Sequence, residues 1–213
     1  MRSILKKIIC LLFPFFCFSS AFSQHTKGEF FGYLVTAANF CQIDGDAASG
    51  YNKFGFTAGY MVGQGLGAMK KGDIAYETGA AFSIRGSRRP FDPENPGNAS
   101  FHLIYQMVDI PVFIHWYLDK FSVSAGMRTT YLIKAEDRDS YILNLQKDMR
   151  KVNILGCVGG DYQLADDWRI FLEMQYSINS IRIANNNTNI FYNTGVFHNV
   201  ISLGTKWQIT GNK

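Results

Sequence analysis

Asp73-Ile74-Ala75-Tyr76-Glu77-Thr78-Gly79-Ala80-Ala81-Phe82-Ser83-Ile84-Arg85 is the stretch that decides how this chain reads. Every second residue, Ile74, Tyr76, Thr78, Ala80, Phe82 and Ile84, falls on one face. Asp73, Ala75, Glu77, Gly79, Ala81, Ser83 and Arg85 fall on the other. Period two marks a strand whose faces meet different surroundings. One face is aliphatic and aromatic, and the other mixes small residues with charges of both signs.

The same pattern recurs on both sides of this stretch. Phe54, Phe56, Ala58, Tyr60 and Val62 oppose Lys53, Gly55, Thr57 and Gly59. Phe121, Val123, Ala125, Met127, Thr129, Tyr131 and Ile133 oppose Ser122, Ser124, Gly126, Arg128 and Thr130. Trp168, Ile170, Leu172, Met174, Tyr176 and Ile178 oppose Arg169, Phe171, Glu173, Gln175, Ser177 and Asn179. Eight such segments emerge, at 29–41, 52–63, 73–85, 102–117, 121–134, 151–164, 168–181 and 197–210. Each runs to roughly 10–16 residues, where globular strands average about five or six and a tilted strand needs about 9–11 to cross hydrocarbon.

The N-terminus reads as a leader. Arg2, Lys6 and Lys7 precede an apolar run from Ile8 to Phe18, and Ala21-Phe22-Ser23 offers small residues for cleavage before Gln24. The run is shorter than the ~20 residues of a membrane helix, and neither Cys10 nor Cys17 sits in a lipoprotein motif. The expected organisation is a signal peptide over 1–23 and one domain over 24–213. Without the leader's three basic residues, 18 Lys and Arg stand against 17 Asp and Glu. That balance gives no basic patch for nucleic acid. Cys41 and Cys157 remain, on segments that are not neighbours, which argues against a bridge; no Cys-x-x-Cys or His-x-x-x-His pattern suggests a metal.

The connections alternate in length. Leu118-Asp119-Lys120 and Ala165-Asp166-Asp167 are short, whereas 86–101, 135–150 and 182–196 are long and polar, with a shorter polar one at 42–51. The stretch 64–72 is the exception, longer than its position on the short-turn side requires. Short turns at one rim and long loops at the other characterise outer-membrane barrels, with the turns periplasmic. In that register Trp116, Trp168 and Trp207 all fall at the periplasmic rim, with Tyr117, Phe121 and Tyr162 close by, as an aromatic girdle would. Lys53, Glu77, Arg85, Arg128, Asp161, Glu173 and Lys206 share the opposite face from the greasy one and are expected to pair inside a narrow lumen.

The stretch Asn39-Phe40-Cys41-Gln42-Ile43-Asp44-Gly45-Asp46, followed by Gly50-Tyr51-Asn52-Lys53-Phe54-Gly55-Phe56, resembles the first hairpin of the PorT-like outer-membrane β-barrel family of Bacteroidota. Glu77 with Ser83-Ile84-Arg85-Gly86-Ser87-Arg88 is similar to that family's third strand, and Asp109-Ile110-Pro111-Val112 to its Glu-Ile-Pro-Val/Leu element, with Asp in place of Glu. Gly159-Gly160-Asp161-Tyr162 through Tyr176-Ser177-Ile178-Asn179-Ser180-Ile181 resembles its final hairpin. The resemblance covers about 28–210, and its motifs are structural rather than catalytic. It implies an integral outer-membrane barrel. At least one member of the family is associated with type IX secretion.

Pro111 cannot donate to a ladder, so a bulge is expected at Asp109-Ile110-Pro111. A hydrolase would need a Ser or Cys beside a His held by an acid. The mature histidines are His25, His102, His115 and His198; His102 and His198 are expected near the outer rim, within reach of Ser100 or Asp139, and His115 as a hydrogen-bonded interior residue. No Gly-x-Ser-x-Gly element is present, and Gly63-x-Gly65-x-Gly67 lacks the lysine and helix of a phosphate loop. Arg85, Arg88 and Arg89 read as a solvated loop base or as an anion site for a lipopolysaccharide phosphate, and Asn185-Asn186-Asn187-Thr188-Asn189 as a polar loop tip.

The reading is all-β: an eight-stranded antiparallel up-and-down transmembrane β-barrel, monomeric, with a packed lumen. It is expected to be non-enzymatic, without catalytic, cofactor or metal site, acting in the outer membrane through external loops or partner proteins. Expected partners are outer-membrane lipid and lipopolysaccharide, with envelope or secretion proteins. The alternatives are a lipid A-modifying enzyme and a soluble lipocalin-like periplasmic binder, which would invert the two faces.

Overall fold

The computed structural model describes residues 30–46, 48, 50–66, 72–91, 93–94, 100–138, 149–182 and 195–210. The expected leader, His25, Gly67, Asp139 and the 185–189 loop tip lie outside them. Eight strands follow one another: β1 Phe30–Asp44, β2 Lys53–Gly65, β3 Ile74–Arg89, β4 Phe101–Leu118, β5 Phe121–Asp137, β6 Val152–Ala165, β7 Trp168–Ser177 and β8 Phe197–Thr210. Each pairs antiparallel with its sequence neighbour, and β8 closes on β1 through a ladder from Gly32↔Thr210 to Asp44↔Phe197. Closure leaves no strand edge unpaired, which a membrane requires because lipid offers backbone groups no partner.

The alternation read in the sequence becomes the two sides of the wall. Along β5, Ser122, Arg128, Thr130 and Leu132 are buried, whereas Phe121, Val123, Met127, Tyr131 and Ile133 are exposed. Along β3, Ala75, Glu77, Ala81, Ser83 and Arg85 turn inward. The outer surface is greasy: Phe54 is 66 % exposed, Ile114 61 % and Val158 57 %. The interior holds Glu77, Arg85, Asp109, Asp161 and Lys206. A lipocalin-like barrel has the opposite arrangement, so that alternative is set aside.

Strand ends depart from expectation by a few residues, and the departures have local causes. β1, β3 and β5 run further outward, to Asp44, Arg89 and Asp137. At Gly45, just past β1, φ is +92°, a left-handed conformation that glycine adopts without strain. β7 stops at Ser177 instead of 181. There Asn179 bonds β6 through its side chain, its Oδ1 accepting from Ile154 N at 2.8 Å while its carbonyl accepts from Asn153 Nδ2 at 2.7 Å. An asparagine side chain that takes a ladder donor ends the regular strand.

The bulge expected at Pro111 is not there. Thr78↔Val112 and Ala81↔Asp109 keep one register on either side of the proline, so β4 passes it without an extra residue. The Pro111 carbonyl accepts from Thr78 Oγ1 at 2.9 Å. On its β5 side β4 does meet an irregularity, but higher, where Gln106↔Lys134 is followed by Met107↔Leu132 and Ile133 is the extra residue; the ladders also shift at Gly32/Tyr33 and Gln163/Ala165.

The turns at Asp119-Lys120 and Asp166-Asp167 are short, and Asp119 has φ +72°. Trp116, Trp168 and Trp207 all sit exposed at that rim, with Phe121 and Tyr162. The Trp168 and Trp207 rings lie 6.4 Å apart, and Trp168 Nε1 donates to Thr205 Oγ1. Tyr117 does not belong to this girdle. Counting from the inward Phe113 and His115, its position points into the lumen, where it is buried under the Arg169 guanidinium, 5.3 Å from its ring centre.

Candidate functional site

What the fold presents to chemistry is a filled lumen and an outer lip. The lumen has three levels. Nearest the short turns, Phe31, Tyr33, Phe113, Tyr117 and Phe171 form an aromatic floor around charged groups. Lys206 on β8 donates to Glu77 Oε2 on β3 at 2.9 Å across the barrel. His115 on β4 stands between two carboxylates, Nε2 3.2 Å from Glu77 Oε2 and Nδ1 3.4 Å from Asp161 Oδ2. Asp161 on β6 also accepts from Ser122 Oγ at 2.8 Å and from Arg169 Nε on β7. The Lys206 ammonium rests 5.8 Å from the Tyr33 ring centre and 5.9 Å from that of Phe171. One level thus cross-links strands β3 to β8.

The middle level is a second network. Asp109 Oδ2 accepts from Arg85 Nη2 at 2.6 Å and from Arg128 Nη1 at 3.4 Å, and Arg128 Nη2 reaches Glu173 Oε1 at 2.7 Å. Beside it Asn39 donates to Thr57 Oγ1 at 2.9 Å, and Ser202 Oγ bonds both Asn39 Oδ1 at 2.8 Å and Gln175 Nε2 at 2.9 Å. The outermost level is apolar: Ile43, Leu103, Tyr105, Met107 and Leu132 from the strands, with Met149 and Ile181 from the connections beyond β5 and β7.

The charges inside balance. Glu77, Asp109, Asp161 and Glu173 face Arg85, Arg128, Arg169 and Lys206, four against four among the buried described residues. A void of about 20 Å³ lies among Met61, Phe113, His115, Ser124, Asp161, Phe171, Glu173 and Lys206, room for about one water. Among the described residues the lumen is thus matched in carboxylates and basic side chains and closely packed.

The residues expected to form the inner face are where the sequence put them, Lys53 alone being only half-buried. His115 is interior, as expected. His198 lies near the outer rim, as expected, but its ring turns inward and is buried in the lumen, 5.5 Å from that of Tyr105, with its backbone N–H donating to Ser177 Oγ at 3.0 Å. It pairs with Ile43, one row below the lip, and β8's regular inward alternation carries its ring inside. His102 lies at the outer end of β4, its backbone N–H donating to Asp137 Oδ1 at 3.1 Å.

Arg85, Arg88 and Arg89 do not form one cluster. Arg85 is committed to Asp109 inside the wall, Arg88 is exposed, and Arg89 stacks on Phe101 with 5.8 Å to the ring centre. Cys41 and Cys157 are free and buried on β1 and β6. Asp109, the acid that organises the middle level, was missed because the expected bulge left the facing of 102–110 open. The outer apolar plug was also missed, since Met149 comes from a connection without periodicity and Ile181, expected at the end of a strand, lies past the point where β7 stops.

A closed barrel with charge-paired polar contents and an apolar exterior belongs to the class of small outer-membrane β-barrels. No family model matches the sequence, and no characterised protein is detectably similar to it in sequence. Among solved structures the chain resembles Neisserial surface protein A, at a TM-score of 0.51 and 9 % identity over 84 % of this chain and 97 % of that one. Ail, the attachment invasion locus protein of Yersinia pestis, matches at a TM-score of 0.42 and 12 % identity over 86 % of this chain and all of Ail. At such identities the likeness concerns the fold alone.

Proposed function

We propose that the chain is a non-enzymatic integral protein of the bacterial outer membrane that presents its outer lip and loops to partners while its lumen serves only as a rigid core. The observation that carries this reading is the seal at the outer end. Met149 and Ile181, from two different connections, are buried in one apolar cluster with strand residues, so the bases of those loops are anchored to the barrel. A scaffold that holds loops in place while closing its lumen suits recognition at the surface rather than transport or catalysis.

The ordered motifs along 28–210 favour a PorT-like member of the family from Bacteroidota, with a link to type IX secretion as its finer role. Membrane fractionation tests the location: the mature chain stays with the carbonate-washed outer membrane and shifts in gel mobility on heating. Recovery in a detergent-free soluble fraction would end the reading. Deletion of the gene tests the finer role. Type IX cargo is retained in the cells and released again on complementation, whereas undisturbed secretion removes that role. Lipid A spectra of the same strain stay unchanged on deletion; a change reversed by wild type but not by His102→Ala would establish the enzymatic alternative instead.

A further inference from the structure

Cross-strand register, and not sequence proximity, brings a set of cations together on the outer lip. Arg88 on β3 pairs with His102 on β4, and Arg138, just beyond β5, donates its backbone N–H to His102 O at 3.1 Å. The three thus form one row across three strands. Four rows nearer the barrel's middle, Ile84, Gln106 and Lys134 form another. Arg88, Lys134 and Arg138 are exposed. Lys134 is ion-paired to Glu136, whose carboxylate also feels the charge of Arg138.

The height of this edge gives it meaning. On β4 the outward series Trp116, Ile114, Val112, Ile110 and Val108 ends at Gln106. Those roughly ten residues, at ~3.3 Å each and a tilt of ~40°, span about 25 Å, the height of an outer-membrane barrel's apolar band. Lys134 therefore stands at the upper limit of the hydrocarbon, and Arg88 and Arg138 about 10 Å above it by the same estimate, at the level of headgroups. The lip at the outer ends of β1 and β8 is different. There Asp44 accepts from Gln42 Nε2 at 2.8 Å, and Tyr51 donates to Asn199 Oδ1 at 2.8 Å; the other exposed cations at this end, Arg150, Lys151 and Arg182, stand apart beyond β6 and β7.

We infer that the outer edge of β3–β4–β5 is a docking surface for a phosphorylated lipid headgroup of the outer leaflet, with Arg88 and Arg138 holding phosphate and Lys134 closing the site from below. Its occupant is a lipid because the cations sit over an apolar wall of Phe82, Val108, Tyr131 and Ile133, with Ile84 beside Gln106 at its upper limit, that acyl chains would line. Guanidinium groups match phosphate oxygens in a bidentate fork. The inference rests on the outer-membrane reading above.

The full mature chain in nanodiscs, probed by native mass spectrometry, tests it. The probes are bisphosphorylated lipid A, the same lipid dephosphorylated, and inorganic phosphate. Wild type should retain the phosphorylated lipid and release the dephosphorylated one, with inorganic phosphate in excess failing to displace it. The triple variant Arg88→Gln/Lys134→Gln/Arg138→Gln should lose about a hundredfold in affinity, while Arg88→Lys/Arg138→Lys keeps most of it. Equal retention by wild type and the triple variant, indifference to the lipid's phosphates, or ready displacement by inorganic phosphate would each overturn the inference. Failure of wild type to insert into a bilayer would overturn the membrane reading along with it.

Discussion

Lys206 shows how much one residue in the lumen can be asked to do. Its ammonium faces Glu77 at 2.9 Å and Asp161 at 3.8 Å, with both carboxylates almost fully shielded from solvent. Removing one member of a buried ion pair leaves a charge without compensation, at a cost of about 3–5 kcal/mol. Lys206→Ala should accordingly destabilise the barrel by that amount in urea titrations from phospholipid vesicles, followed by tryptophan fluorescence. The double change Glu77→Gln/Lys206→Met should recover most of the loss, because a matched neutral pair carries no desolvated charge. Equal losses in the two variants would mean that the network is not electrostatically coupled. Glu77 and Lys206 were legible as inward-facing from alternation alone, but their partnership was not. The two residues lie far apart in sequence and meet only because closure brings β3 and β8 to face each other across the lumen.

Long strands kept their identity because a two-residue period repeated over ten or more residues is hard to mistake for a helix, and the irregular points escaped for the same reason. Pro111 looked like a bulge, yet a proline whose nitrogen faces an interrupted ladder needs no inserted residue, and Thr78 satisfies its carbonyl from the side. Ile133, which is the inserted residue, carries no sequence mark at all. Tyr117 was placed on the girdle by its neighbourhood with Trp116, although adjacent residues on a strand face opposite sides. Glycine has a definite place in one element: a Cβ on Gly126 would meet the Val112 carbonyl oxygen at 2.2 Å and the Phe113 ring at 2.5 Å, so β5 leaves room there for the backbone and an inward aromatic of β4. Gly126→Val should lower stability by about 1–3 kcal/mol through overpacking, and unchanged unfolding midpoints would show that β4 and Phe113 shift there without cost. A charge scan along β4 should report depth. Val112→Arg, midway along the apolar series, should cost about 2–4 kcal/mol, while Gln106→Arg at its upper limit should cost about 0–1. The same cost at both sites would deny that this face meets lipid.

For the molecule as a whole, inside and outside are exchanged relative to a soluble barrel. Sequence could separate the two faces but needed the leader, the tryptophan rim and the loop asymmetry to orient them; the structure does so directly, with four carboxylates and four cations inside and Phe54, Phe56, Ile114 and Val158 outside. Because the lumen is filled, with a void of about 20 Å³ in its lower half, planar bilayers containing the purified protein should show no steady conductance steps. A large persistent current would mean that the charged levels can part. The account is tested most directly by nitroxide scanning of residues 122–133 on β5 in vesicles, in a background lacking Cys41 and Cys157, with oxygen and a water-soluble nickel complex as relaxants. Oxygen access should peak at 123, 125, 127, 129, 131 and 133 and fall at 122, 124, 126, 128, 130 and 132, with nickel excluded from both sets. Nickel access at the odd positions, with oxygen highest at the even ones, would contradict the account.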